Sequence, residues 1–407
     1  MKKAFILFAT LLLVASSLFG QSDPVGVQPF STQLGNVDAA TLNVHLSIPV
    51  VSKAGIGLPF SYDLLFNNNF WSTDGGYWVG VTSSTYYGWS QLGQNHLGRF
   101  VITIGGFCSG STVNHNLIYS AFIDTGGNRH NMPSGPITVP CGFPVTITLT
   151  DGSGIRVTMA SATNGVSSAM YPNGTVSTPY PNSNPTIVDT NGNTISVSGN
   201  TTTDTLGVSE LTITSTSTSS TYTYPTSNST ASAVHNFGYY TVQTNFGCPG
   251  ITEFSVHPNV QLINSVSLPD SSQYSFTYET TPGDTHTPHY VTGRLASVTL
   301  PTGGTIQYVY TGPNNGIHCG DGSAAGLTVT TPDGVTTYVR DATNWNQTTV
   351  TQPSGDYAVY NFTNSVSPYE VQRRSYALGG VLLLTTTTCY NGNQTRSHLT
   401  NASIEPQ

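Results

Sequence analysis

Charge is the scarcest property of this sequence: only 7% of its 407 residues are Asp, Glu, Lys or Arg, against roughly a quarter in typical soluble domains. Helices need Lys and Glu to cover their solvent faces, and no stretch beyond residue 20 carries the 3.6-residue apolar period of an amphipathic helix. Setting aside Lys2 and Lys3 leaves 9 basic against 19 acidic residues, a formal charge of −10. Such a chain lacks the basic stripe that neutralises phosphates, so no nucleic acid is expected among its partners. Cysteine is sparse too, with five residues and no CxxC pair, which disfavours a zinc site. Carboxylates are few and scattered among turns, so no general acid/base pair stands out. No cofactor and no catalytic residue are expected.

Long apolar runs are also missing, with one exception at the start. Residues 1–20 read as a secretory signal: Lys2 and Lys3, an apolar run over 4–14, then Ala15, Ser17 and Gly20. The run is short of the roughly 20 residues that span a bilayer, and no second one follows. The mature chain is expected to be secreted or at the cell surface, without a membrane span. In that setting five cysteines allow two disulfides and a leftover thiol. Cys108 and Cys141, the closest in sequence, are the preferred pair, with Cys319 and Cys389 a second choice.

Glycine, hydroxyl residues and tyrosine fill the space that charge leaves, which makes the expected class all-β. The clearest unit is residues 295–310, LASVTLPTGGTIQYVY. Alternation puts Ala296, Val298 and Leu300 on one face of the first arm, and Ile306, Tyr308 and Tyr310 on one face of the second. An odd-length loop around Pro301 and Gly303 keeps both sets on the same side. The register expected on this basis pairs 300 with 306 and 298 with 308.

The unit recurs when the chain is aligned on Pro269, Pro301, Pro332 and Pro353. Three residues earlier stand Val266, Val298, Val329 and Val350. Two residues later stand Ser271, Gly303, Gly334 and Gly355. Seven later stand Phe276, Tyr308, Val339 and Tyr360, and nine later Tyr278, Tyr310 and Phe362, with Asp341 the exception. A spacing of about 21 to 32 residues is that of repeat architectures. A lone hairpin is marginal in water, so the units must stack and bury their Val/Tyr faces.

Upstream, 146–159 and 186–197 read as hairpins without the proline. The first loops at 151–154, with Ile147, Leu149, Ile155 and Val157 as its apolar set. The second turns at Asn191-Gly192 in a two-residue type I′ turn. The Ser/Thr-rich stretch 161–235 admits a disordered linker or polar strands, and Leu211, Ile213, Tyr222 and Tyr224 keep a strand period through it. Residues 41–50 and 58–66 read as strands, with His45 an exposed strand residue. Trp71, Tyr77, Trp78, Tyr86, Tyr87 and Trp89 are expected mainly in a core. The expected layout is 1–20 signal, 21–160 N-terminal β-rich region resembling a sandwich, 161–235 Ser/Thr-rich strands and loop, and 236–407 hairpin repeats forming an extended or curling shell.

Three motifs invite chemistry. Gly106-Phe107-Cys108-Ser109-Gly110 spells a nucleophile elbow, but no helix follows it. His286 and His289 lie near Asp284 in a Pro-containing loop, read as solvated. The turn at Asp189 has calcium-like spacing without a terminal acidic ligand, so an Asx turn suffices.

Gly293, Arg294, Leu295, Val298, Pro301, Gly303, Tyr308 and Tyr310 together resemble the repeat unit of bacterial RHS (YD-repeat) proteins. Residues 36–66 are similar to the leader that precedes such repeats. The resemblance implies a β-shell that encloses a C-terminal toxin or effector, or a surface structure contacting glycans. No self-cleavage motif or toxin domain follows the repeats here, so the implied toxin partner is a segment encoded separately or lost. The expected function is a secreted, non-catalytic scaffold, with a carbohydrate-active enzyme or glycan-binding adhesin as alternatives.

Overall fold

A computed structural model describes residues 31–32, 35–55, 57–80, 87–90, 97–107, 115–133, 135–160, 166–179, 182, 184–319, 321–342, 346–363 and 368–388. The signal segment 1–20, Tyr86, Cys108 and Cys389 lie outside the described residues. Every regular element among the described residues is a strand, as the shortage of charge and the alternating pattern require. No helix there is long and apolar enough to cross a membrane.

Twenty strands, from Val145–Thr148 to Leu382–Thr387, form one antiparallel ribbon in which each strand pairs with its neighbour in sequence. The Ser/Thr-rich region belongs to it: Leu211, Ile213 and Tyr222 are buried, within strands Ser209–Ser215 and Ser219–Pro225. The ribbon thus starts at Val145, far upstream of the four proline units.

A sequential ribbon depends on tight turns, and seven of them share one geometry. In turns 171–175, 189–193, 204–208, 268–272, 300–304, 352–356 and 377–381, the first N–H donates to the fifth carbonyl and the fourth N–H to the first carbonyl. The fourth residue is left-handed each time, with φ between 70 and 87°. This is the three-residue hairpin loop that ends in a left-handed position, where glycine has no Cβ penalty. Gly192 alone is left-handed in the 189–193 turn, so the loop has three residues and is not the expected two-residue turn. Ser271 (φ 70°) holds the same position without being glycine, and is exposed. Ser271→Gly should therefore stabilise the protein by about 1 kcal/mol, once relief of the left-handed strain is set against glycine's extra freedom when unfolded. A urea midpoint that fails to rise would contradict this.

The same turn corrects the expected register. The loop 301–303 closes so that Val298 faces Ile306, not Tyr308, a shift of two residues that preserves which face each side chain takes. The aromatic seven places after the proline instead reaches the valine of the following unit: Phe276 faces Val298, and Tyr308 faces Val329. In the third unit Thr331 pairs with Gly334 across a two-residue loop. One residue is lost there, so Tyr338 rather than Val339 faces Val350, and Val339 is exposed. Val266, Val298, Val329, Val350, Phe276, Tyr308, Tyr338 and Tyr360 are all buried. Aromatic and β-branched cross-strand pairs thus join unit to unit.

The N-terminal region contributes an inner sheet built from Gly35–Val37, Val44–Lys53, Phe60–Asn67 and flanking strands. One apolar cluster unites its residues, among them Leu46, Ile48, Tyr62, Phe66 and Trp89, with ribbon residues from Ile195 to Phe362. A second sheet, centred on His115–Ile123 and flanked by Arg99–Phe107, Arg129–Asn131 and Ile137–Val139, packs on the first ribbon strands through Phe100, Tyr119, Val157 and Met159. Near the far end Tyr369 donates its hydroxyl to Thr150 O, beside the first ribbon strand. The ribbon therefore curls back towards its own start, and its inward face packs on the sheet that contains Val44–Lys53 and Phe60–Asn67.

Candidate functional site

Gly293, Arg294 and Tyr310, three of the residues that carry the family resemblance, meet at the seam between inner sheet and ribbon. Gly293, in strand Val291–Thr299, is left-handed (φ 82°), and a Cβ there would stand 3.2 Å from Phe70 of the inner region. Its neighbour Arg294 is almost fully buried, and its guanidinium donates to both oxygens of Glu279 at 2.7 Å and to Asn315 O at 2.9 Å. The same group lies 3.8 Å from the Tyr310 ring centre and 4.6 Å from that of Phe246. A buried cation is tolerable only when paired and hydrogen-bonded, and the planar guanidinium meets both conditions while stacking on aromatic faces. Tyr310 completes the clamp by donating its hydroxyl to Leu295 O at 2.8 Å. Tyr310→Phe should cost about 1 kcal/mol by leaving that carbonyl without its donor, read as a lower thermal midpoint; an unchanged midpoint would argue against the clamp.

The inner sheet is tied to the ribbon at several further points. Lys53 Nζ lies 2.5 Å from Glu210 Oε2, Trp71 Nε1 donates to Thr292 O at 3.0 Å, and Trp89 Nε1 donates to the Tyr278 hydroxyl at 2.8 Å. Of the aromatic-rich stretch, Trp71, Trp78 and Trp89 are buried as expected, whereas Tyr77 is exposed. His45 departs from expectation, because it is half-buried and its Nδ1 lies 3.1 Å from Asn67 Oδ1. Burial pushes its pKa below the usual range.

A second polar cluster escapes sequence reading. His130 is wholly buried, with Nδ1 2.5 Å from Asp151 Oδ2 and Nε2 3.3 Å from Asp124 Oδ2. Burial disfavours the charged ring, but hydrogen bonds and charge from Asp124 and Asp151 outweigh it and raise the pKa to about 9. Burial also opposes the Asp151 charge, yet His130 and Ser153 hold its pKa below the ordinary range. The ring is thus an imidazolium donating from both nitrogens, with none left to act as a base. Both carboxylates stand in turns 21 or fewer residues from His130, and no motif links them in sequence.

Histidine 235 is equally buried and has the opposite character. Its Nδ1 lies 2.7 Å from the Tyr222 hydroxyl, its Nε2 has no partner, and burial lowers its pKa to about 4.

His286 and His289 are exposed, and each directs Nδ1 to Asp284, at 2.6 and 3.1 Å. Burial opposes the Asp284 charge, but donors from His286, Tyr290 and His289 lower its pKa to about 2. The Asp189 carboxylate is likewise occupied, by the N–H groups of Asn191 and Asn193 and the Asn193 amide. No group of three or more His, Cys, Asp or Glu is placed to hold a metal among the described residues.

The expected pairing of Cys319 with Cys389 is overturned. Cys319 bonds to Cys248, 71 residues earlier, with Cα atoms 5.4 Å apart. Asn315 donates to Asn245 O and Phe246 O, which brings the two loops together. Cys141 is also disulfide-bonded, while Cys108 and the elbow-like spelling around it fall outside the described residues. Compared with known proteins, the chain matches no family model and no curated protein.

Proposed function

We propose that the chain is a secreted, non-catalytic RHS-like β-scaffold with a structural or binding role in a bacterial toxin-delivery or cell-surface system. The observation that carries this reading is the ribbon packed on the chain's own N-terminal sheet, with one apolar cluster running through both. Binding would then fall to the outer face. There hydroxyl side chains line up across strands, as in the row Thr178, Thr186, Ser196 and Thr203 and the row Thr201, Thr212, Thr223 and Ser232. An uncharged, hydroxyl-rich face suits polar neutral partners such as surface glycans. The polar clusters of the interior support a non-catalytic role, since Arg294 and His130 are buried and fully engaged. Incubating the purified mature protein with a polysaccharide panel tests the reading. Binding without release of reducing ends is expected, and depolymerisation would replace it with the carbohydrate-active enzyme.

A further inference from the structure

Two arginines share one face of the second sheet with no carboxylate beside them. Strands Arg99–Phe107 and Arg129–Asn131 flank His115–Ile123 on its two sides, and the register sets both Arg99 and Arg129 opposite Ile123. Directly opposed residues share a face, so the two side chains stand on either side of Ile123, two strand spacings or about 9.5 Å apart at the backbone. Phe100, Phe122 and His130 alternate onto the other face, towards the ribbon. Ala121 and Ile123 give the arginine face a buried apolar floor, and Asn131 Oδ1 accepts from Arg129 Nε at 3.0 Å. Arg99 is half-buried, and its buried Nε has no hydrogen-bond partner among the described residues. Arg129 is exposed, so the pair is open to solvent on its side.

The rest of the chain does not neutralise this pair. Every Asp and Glu except Asp23 and Glu405 lies within the described residues, and none of those forms an ion pair with Arg99 or Arg129. The neighbouring stretches 81–86, 91–96 and 108–114 contain no carboxylate either. Burial lowers the pKa of both arginines, and the Arg129 charge adds to burial in bringing Arg99 to about 10. Both groups therefore stay charged at neutral pH and repel each other. A partly buried cation is tolerable when an anion meets it, and Arg294 shows the chain's own solution, a bidentate pair with Glu279. Arg99 and Arg129 leave that place to a ligand.

We infer that Arg99 and Arg129 together bind one phosphate group above Ile123, either the free ion or a monoester. Two guanidiniums converging on one point call for about two negative charges, which such a phosphate carries near neutral pH. Its tetrahedral oxygens can accept from both N–H forks at once, whereas a carboxylate offers one charge and two oxygens in a single plane.

Calorimetric titration of the mature protein with inorganic phosphate and with glucose 6-phosphate tests the inference, with acetate and sodium chloride at matched ionic strength as controls. Saturable one-to-one binding of phosphate is expected, with none for acetate or chloride. Arg99→Gln and Arg129→Gln should each weaken it about tenfold or more. Arg129 is exposed, so its replacement leaves the core untouched, and circular dichroism should be unchanged. Ile123→Glu places a carboxylate between the two cations and should abolish binding. Either order of affinity between the two probes supports the site, the tighter one telling free ion from ester. A wild-type protein that binds neither probe above the chloride control overturns the inference, as does wild-type affinity in folded Arg129→Gln.

Discussion

Replacing His130 with alanine is expected to lower folding stability by about 3–5 kcal/mol, because it leaves Asp124 and Asp151 buried without their shared cation. Local donors would remain, among them Asn128 for Asp124 and Ser153 for Asp151. The pH profile gives a sharper test. The folded pKa of about 9 lies above the ordinary 6.5, so the stabilisation is complete below pH 6.5 and disappears as pH rises through 9. The loss across that window should be about 3 kcal/mol. The raised His130 value and the lowered Asp151 value describe one ion pair and count once. His235 works in the other direction. Its folded pKa of about 4 lies below 6.5, so the unfolded chain takes up a proton that the folded chain refuses. Stability should fall by a similar amount, about 3 kcal/mol, between pH 6.5 and 4. Together the two histidines put maximal stability near pH 6.5. Urea midpoints from pH 4 to 10 would show this, with the alkaline limb flattened in His130→Ala and the acid limb in His235→Phe. An alkaline limb that persists in His130→Ala would show that other groups set it.

The strand content was legible because alternation and turn spelling are local. Val298, Ile306 and Tyr308 had to share a face in any register of the right parity, and they do. The register itself was not legible, since loops of three and five residues both preserve parity. Only the hydrogen bonds of the 300–304 turn decide between them. The same ambiguity hid the rule that an aromatic meets the valine of the next unit. Gly293, Arg294 and Leu295 were visible as a pattern, but their reason was not. Glu279, Asn315 and Phe246 approach Arg294 from three separate parts of the chain. The His130 cluster was invisible for a similar reason, because a lone histidine and two turn aspartates carry no spacing until two sheets are packed together. Cys248 escaped as the partner of Cys319 because sequence proximity is a poor guide when loops of a curled ribbon converge.

Trp89→Ala should destabilise the protein by about 3–5 kcal/mol, the range for deleting a buried large aromatic. The indole is 1% exposed, sits edge-on to Phe66 at 5.2 Å and Phe276 at 4.9 Å, and bonds to Tyr278. Tyr278 in turn donates to Ile263 O, so one side chain links the inner sheet to two ribbon strands. Trp89→Phe keeps much of the volume and loses the hydrogen bond, so it should cost less, about 1–2 kcal/mol. The shape of the transition matters more than its midpoint. With one apolar cluster spanning residues 37–97 and 195–362, removing Trp89 should shift a single cooperative unfolding transition, seen alike by tryptophan fluorescence and circular dichroism. Two transitions, with only the earlier one moved, would mean that the inner sheet melts while the ribbon stands. An enclosure that persists after its filling has melted is a container. The single transition expected here is that of a fold whose interior is filled by its own chain.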